Sequence, residues 1–113
     1  MVEIKEHEEA DIFELEVIGE VDASSSINLD NALVKAMESD KSILINLQQL
    51  QYISSAGLGV FISYLDELKT KQTKLVFYGL TETVSQVFEI LGLHELFEIC
   101  DSKESATAKL NEA

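Results

Sequence analysis

The chain has 113 residues with an ordinary hydrophobic share of 46%, and eight lysines and arginines against 21 acidic residues leave a net charge of −13. That length is near the commonest domain size and supports one core, so a single domain over residues 1–113 is expected. The charge excludes nucleic acid and anionic membrane surfaces as partners and favours a basic protein, although acidity alone also keeps a small protein soluble.

Met1-Val2-Glu3-Ile4-Lys5-Glu6 has no basic region followed by an apolar core, so no signal peptide is expected. Val2 and Ile4 alternate with Glu3 and Lys5 and predict a short, half-exposed strand. His7 to Asp11 reads as a polar turn. Phe13, Leu15 and Val17 alternate with Glu14 and Glu16, a second strand with one wet face, and the short loop makes the pair antiparallel. Gly19-Glu20-Val21-Asp22 ends that strand. Asp22 and the serines after it are good capping residues for a helix in which Leu29, Leu33, Ala36 and Met37 recur at helical spacing, closed by Ser39-Asp40-Lys41.

The triplet Ile43-Leu44-Ile45 predicts a strand covered on both faces. After a loop that reaches Ile53, a second helix carries Leu58, Phe61, Ile62, Leu65 and Leu68 in one buried stripe. The weakly polar run Ala56 to Leu65 stops at Asp66, too short to span a bilayer. Leu75 to Tyr78 is a strand ended by Gly79, and Val84, Val87, Phe88 and Leu91 define a third helix with Gly92 just past its end. Leu96 to Cys100 predicts a last short strand. Asp101 or Ser102 then caps a final helix with Ala106 and Leu110 inward. Cys100 is the only cysteine, so no internal disulfide forms, which fits a cytoplasmic protein. Strands alternating with helices predict an α/β domain. Its sheet is mostly parallel, with four to five strands, an antiparallel N-terminal strand, right-handed crossovers and about four helices.

Enzymatic chemistry finds little material. His7, His94 and Cys100 form no metal-site spacing, so no metal is expected, and no nucleophile-elbow pattern surrounds a serine. Gly57 and Gly59 do not open a dinucleotide fingerprint, because the third small position holds Ile62; the phosphate-loop lysine is missing too. No cofactor is expected. What remains is Ser54-Ser55 at the start of the second helix, where unpaired N–H groups and a partial positive charge favour an anion. A serine there caps the helix or carries a phosphoryl group. Two glycines in the opening turns point to a close approach of another backbone at Gly57 and Gly59, and the projection turns Val60, Ser63, Tyr64 and Glu67 away from the stripe, toward a partner or a neighbouring helix.

Ser54-Ser55-Ala56-Gly57-Leu58-Gly59-Val60, after the strand and loop Ile43 to Ile53, resembles the signature of the STAS domain, named for sulfate transporters and anti-sigma factor antagonists. Gly19-Glu20-Val21-Asp22 resembles the family's other recognisable segment, and the resemblance covers nearly the whole chain. As a small stand-alone domain it is most similar to the bacterial anti-sigma factor antagonists, which are not enzymes. The resemblance implies partner switching: the unphosphorylated form binds an anti-sigma factor that is also a serine kinase, phosphorylation by that kinase ends the binding, and a serine phosphatase restores it. The phosphoserine falls on Ser55, with Ser54 the alternative, and Asp22 keeps the acidic residue of the loop beside it. Asp22, Ser54, Gly57, Val60 and Tyr64 are the expected partner contacts. Ser54 and Asn46 stand where the family often has aspartate. The alternative is a STAS module that works without phosphorylation, in a transporter or a sensory scaffold. Oligomeric state stays open.

Overall fold

A computed structural model describes residues 1–112. Its elements are β1 (Val2–Glu8), β2 (Ile12–Val21), α1 (Ser26–Glu38), β3 (Ser42–Asn46), β4 (Leu50–Ile53), α2 (Ser55–Ser63), α3 (Leu65–Lys71), β5 (Leu75–Tyr78), α4 (Glu82–Ile90), a 3₁₀ turn (Leu93–Glu95), β6 (Glu98–Cys100) and α5 (Lys103–Leu110). The strands form one six-stranded sheet in the order β1-β2-β3-β5-β6, with β4 also on β2. Only β1–β2 is antiparallel; β2–β3, β2–β4, β3–β5 and β5–β6 are parallel. The α/β class, the antiparallel first strand and the parallel remainder agree with expectation.

Alternation along the strands divides the side chains between two cores. Phe13, Leu15, Val17, Ile43, Ile45 and Phe77 face one way and pack under α1, α2, α3 and α4, while Leu44, Val76 and Tyr78 face the other way, against Ala106 and Leu110 of α5. Phe77 is the hub of the larger core. Its ring meets Phe61, Phe88 and Phe97 edge-on at centroid distances of 4.9, 5.5 and 5.1 Å, a favoured aromatic geometry. The smaller core is closed by α5, whose start is fixed by reciprocal bonds between Ser102 and Ser105.

Five expectations are corrected. First, β1 runs through His7 and Glu8, because its ladder with β2 continues to the pair Glu8↔Phe13 and the turn is only Glu9–Asp11. Second, β2 does not end at Gly19. This glycine sits inside the strand at φ +95, where a Cβ would lie 2.6 Å from the Met1 carbonyl oxygen, and the register with β4 shifts there. Third, the segment before Ile53 is a strand, giving six rather than four to five: β4 takes the second half of β2's edge, which β3 has left. Fourth, the predicted second helix breaks at Tyr64 into α2 and α3, where the Ser63 hydroxyl donates to the Val60 carbonyl at 2.7 Å and the Tyr64 N–H reaches back only to Phe61. Ile62 is therefore exposed, not buried, and Leu91 likewise lies beyond the end of α4 in solvent. Fifth, the outer face of β2 is not uniformly wet. Glu14 is buried under α5, where one carboxylate oxygen pairs with Lys103 at 2.9 Å and the other accepts from the Tyr78 hydroxyl at 3.1 Å and the Asn46 amide at 3.2 Å.

Glu14 thus satisfies three donors from three different elements. Glu14→Ala leaves the buried Tyr78 hydroxyl and Asn46 amide without their acceptor and should lower unfolding stability by about 1–3 kcal/mol. Urea titration beside Glu3→Ala, an exposed change expected within about 0.5 kcal/mol of the parent, tests this; equal midpoints would refute it.

Candidate functional site

The site is made where β2 and β4 end side by side. Val21 pairs with Ile53, and the Ser54 N–H donates to the Val21 carbonyl at 2.8 Å. The chain therefore enters α2 beside the point where β2 releases Asp22, at the carboxyl ends of the parallel strands. Loops at that end of such sheets form binding sites. Backbone conformation separates the two serines. Ser54 is extended (φ −80, ψ 168), and its Oγ accepts from the Gly57 N–H at 3.2 Å, the geometry of a helix cap. Ser55 is the first helical residue. It is exposed, and among the described residues nothing bonds its hydroxyl. The two serines have different situations: Ser54 is occupied as a cap and Ser55 presents its hydroxyl to solvent.

Gly57 and Gly59 also separate. A Cβ on Gly57 would lie 2.8 Å from both Ile53 Cγ1 and Val21 Cγ1, whereas one on Gly59 would meet nothing within 4 Å. The close approach at Gly57 thus comes from side chains of the strands beneath, and the fold itself does not require glycine at 59.

Asp22 organises the neighbouring loop. Its carboxylate accepts from the Ser24 hydroxyl at 2.7 Å, the Ser25 N–H at 2.9 Å and the Ser25 hydroxyl at 3.0 Å. These donors, the Ser24 hydroxyl foremost, hold its pKa down to about 2, so a full negative charge stands beside the start of α2 at neutral pH. Ser25, buried, occupies the N-cap position of α1 without a side-chain cap of its own; Asp22 takes its N–H instead. No lysine falls between Lys5 and Lys35 or between Lys41 and Lys69, so the segments that build the site carry none.

Val60 and Tyr64 are not turned freely outward. Both are half-buried against the main core, and the Tyr64 hydroxyl donates to Asp30 of α1, a bond that raises its pKa. The apolar groups that do face solvent on these elements are Ile27 (56% exposed), Tyr52 (48%) and Ile62 (40%). Sequence reasoning missed all three. Ile27 had a signal: it lies two residues before Leu29, about 200° around the helix from the buried stripe. Tyr52 had none until β4 was known. Among the described residues no three His, Cys, Asp or Glu side chains converge as a metal site, and no helix is long and apolar enough to cross a membrane.

Residues 1–106 match the family model of the STAS domain. The anti-sigma-B factor antagonist of Listeria monocytogenes is 35% identical over 99 residues, 87% of this chain and 86% of its own. Among solved structures, an anti-sigma factor antagonist from Mycobacterium paratuberculosis superposes with a TM-score of 0.90 at 15% identity, covering 99% of this chain and 96% of that one. The Bacillus cell fate determinant SpoIIAA in its phosphorylated form gives a TM-score of 0.71 at 17% identity, over 96% and 100% of the two chains. At such identities the two structures speak for the shared fold.

Two outcomes follow from the geometry. Gly57→Ala should destabilise by about 1–3 kcal/mol through overpacking, and Gly59→Ala should stabilise by up to about 1 kcal/mol through helix propensity; urea midpoints moving the same way for both would contradict the assignment. A carbon-detected NMR titration of Asp22 should show a midpoint near 2, rising toward the ordinary aspartate range in Ser24→Ala. Because the folded-state value is depressed, the loop's contribution to stability is full above the unfolded value of about 4 and is lost as pH falls through about 2.

Proposed function

The chain belongs to the STAS domain family, and from that premise we propose that it is a cytoplasmic anti-sigma factor antagonist that binds rather than catalyses, switched by phosphorylation of Ser55. Its most direct support from relatives is the antagonist name of the Listeria protein, matched over most of both chains. The single observation that carries the choice of residue is the exposed hydroxyl of Ser55 at the first position of α2, beside a neighbour whose own hydroxyl is engaged.

The partner is an anti-sigma factor with serine kinase activity. In the unmodified state it docks over the start of α2 and the Asp22 loop, with Ile27, Tyr52 and Ile62 as apolar contacts. Gly59, open on the surface, lets a partner backbone approach. Transfer of a phosphoryl group to the Ser55 Oγ adds about −1.5 to −2 charges and three acceptor oxygens. The first N–H groups of α2 have no intrahelical acceptor and the helix dipole favours an anion, so the fold tolerates the group. The interface does not: the new charge stands near ionised Asp22, and both must be stripped of water for the partner to sit. A serine phosphatase resets the switch.

Incubation with the cognate kinase and ATP, followed by peptide mass spectrometry, tests the reading. One phosphate should appear on the peptide holding Ser54 and Ser55, vanish in Ser55→Ala and persist in Ser54→Ala, although loss of the cap costs the latter about 0.5–2 kcal/mol of stability. Ser55→Glu should keep its thermal midpoint while binding the partner more than about a hundredfold weaker, some 3 kcal/mol. Undiminished binding by Ser55→Glu, or phosphate retained in Ser55→Ala, would overturn the switch and leave a phosphorylation-independent interaction module.

A further inference from the structure

The outer strands of the sheet are β1 and β6, and among the described residues no further strand pairs with either outward edge. Strand β6 is only three residues long, whereas β1 offers seven. Hydrogen bonds at its two ends show which of its backbone groups are free. The Glu20 N–H donates to the Met1 carbonyl at 3.0 Å, and the Glu9 N–H donates to the Ile12 carbonyl at 2.9 Å. Antiparallel partners exchange bonds at every second pair. In the register that runs from Val2↔Gly19 to Glu8↔Phe13, Glu3, Lys5 and His7 are therefore the residues bonded to β2. The N–H and carbonyl groups of Val2, Ile4, Glu6 and Glu8 point the other way, into the open edge. Val2 and Ile4, both half-buried, rest on the main core. With Glu6 they form one wall of a recess of about 390 Å³, whose other wall is α1 between Asn28 and Lys35. Glu6 and Lys35 bridge the two walls at 2.9 Å. On the opposite face of β1, Glu3 and Lys5 are exposed.

Charged side chains on an edge commonly keep other strands away. Here their signs and spacing suit one partner, a second copy of this chain. Two β1 strands that run antiparallel about a two-fold axis must set even residues opposite even residues, because only these have free backbone groups. The axis then passes through a residue and not between two. An axis through Glu3, Lys5 or Glu6 sets that side chain against its own copy, like charge on like. An axis through Ile4 sets Glu3 of each copy opposite Lys5 of the other, Val2 opposite Glu6, and Ile4 opposite Ile4. We propose that the chain forms an isologous dimer in this register, β1 on β1, so that two six-stranded sheets become one. Each even pair between Val2 and Glu6 exchanges two hydrogen bonds, and the exposed parts of the two Ile4 side chains cover one another. Lys5, whose neighbour on β2 is Glu16, then lies between two carboxylates. Strand β1 contributes nothing to the Asp22 and Ser55 loops, so this association does not rest on the switch.

The net charge of −13 opposes self-association at long range. The test is therefore made at about 0.15 M salt, which screens charges beyond about 8 Å but leaves cross-strand neighbours in contact. Sedimentation of the parent from about 10 µM to about 1 mM should show reversible monomer–dimer exchange. Amide shifts of ¹⁵N-labelled protein that grow with concentration should centre on β1 and the facing side of α1. Glu3→Lys alone and Lys5→Glu alone, both surface changes, turn two attractions per dimer into two repulsions and should each weaken it about tenfold or more. Glu3→Lys combined with Lys5→Glu restores opposite charges across the axis and should return the dimer to within about threefold of the parent. Ser55→Glu should dimerise as the parent does, so a failed switch would leave this interface standing. A parent that stays monomeric at about 1 mM, shifts centred on another face, single reversals without effect, or a double reversal without rescue would each overturn the proposal.

Discussion

The close seat of Gly57 on Val21 and Ile53 is the constraint on which the site depends. With no side chain at 57, the first turn of α2 settles directly onto the ends of β2 and β4, at a separation that any Cβ would violate. That contact, with the Ser54 N–H on the Val21 carbonyl, leaves little freedom to the start of the helix. Asp22 follows Val21 directly, so the same seat fixes the spacing between a carboxylate and a serine hydroxyl. The candidate site is thus positioned by backbone packing one layer below the Ser55 hydroxyl.

Rigidity beneath that seat comes from the larger core. Phe77, fully buried at the centre of the sheet, touches aromatic rings contributed by α2, by α4 and by the segment before β6, so several elements share one anchor. Interiors packed this densely shift between discrete arrangements rather than deform continuously. In the proposed switch, a charge added at Ser55 acts where the surface meets a partner, and a scaffold this densely packed has little reason to respond. The Tyr64–Asp30 link works in the same sense, tying the end of α2 to α1, the helix that follows the Asp22 loop.

Much of this was legible because the governing chemistry is local. Strand alternation in Phe13, Leu15 and Val17, the capping serines, and the glycines at 57 and 92 each announce themselves within a few residues. What was not legible depends on distant partners. Leu50-Gln51-Tyr52-Ile53 shows no alternation, and is a strand only because the far half of β2 offers an open edge. Glu14 has the look of a solvent-facing residue until α5, many residues later, covers it. The division of labour between Ser54 and Ser55 turns on a backbone angle and on where one N–H points, neither of which residue type dictates.

The late arrival of α5 has a consequence during synthesis. Chains emerge from the ribosome amino terminus first, and domains begin to fold as they do. All six strands and the first four helices precede Lys103, so the helix that covers the sheet's second face is the last element in the described chain. Until α5 docks, Leu44, Val76 and Tyr78 lack their cover and Glu14 lacks its lysine. An acidic side chain on such an uncovered face is one of the devices by which sheets discourage association with other chains. Once α5 lands, the same group becomes the peg that holds it: a safeguard in the unfinished molecule and a fastening in the finished one.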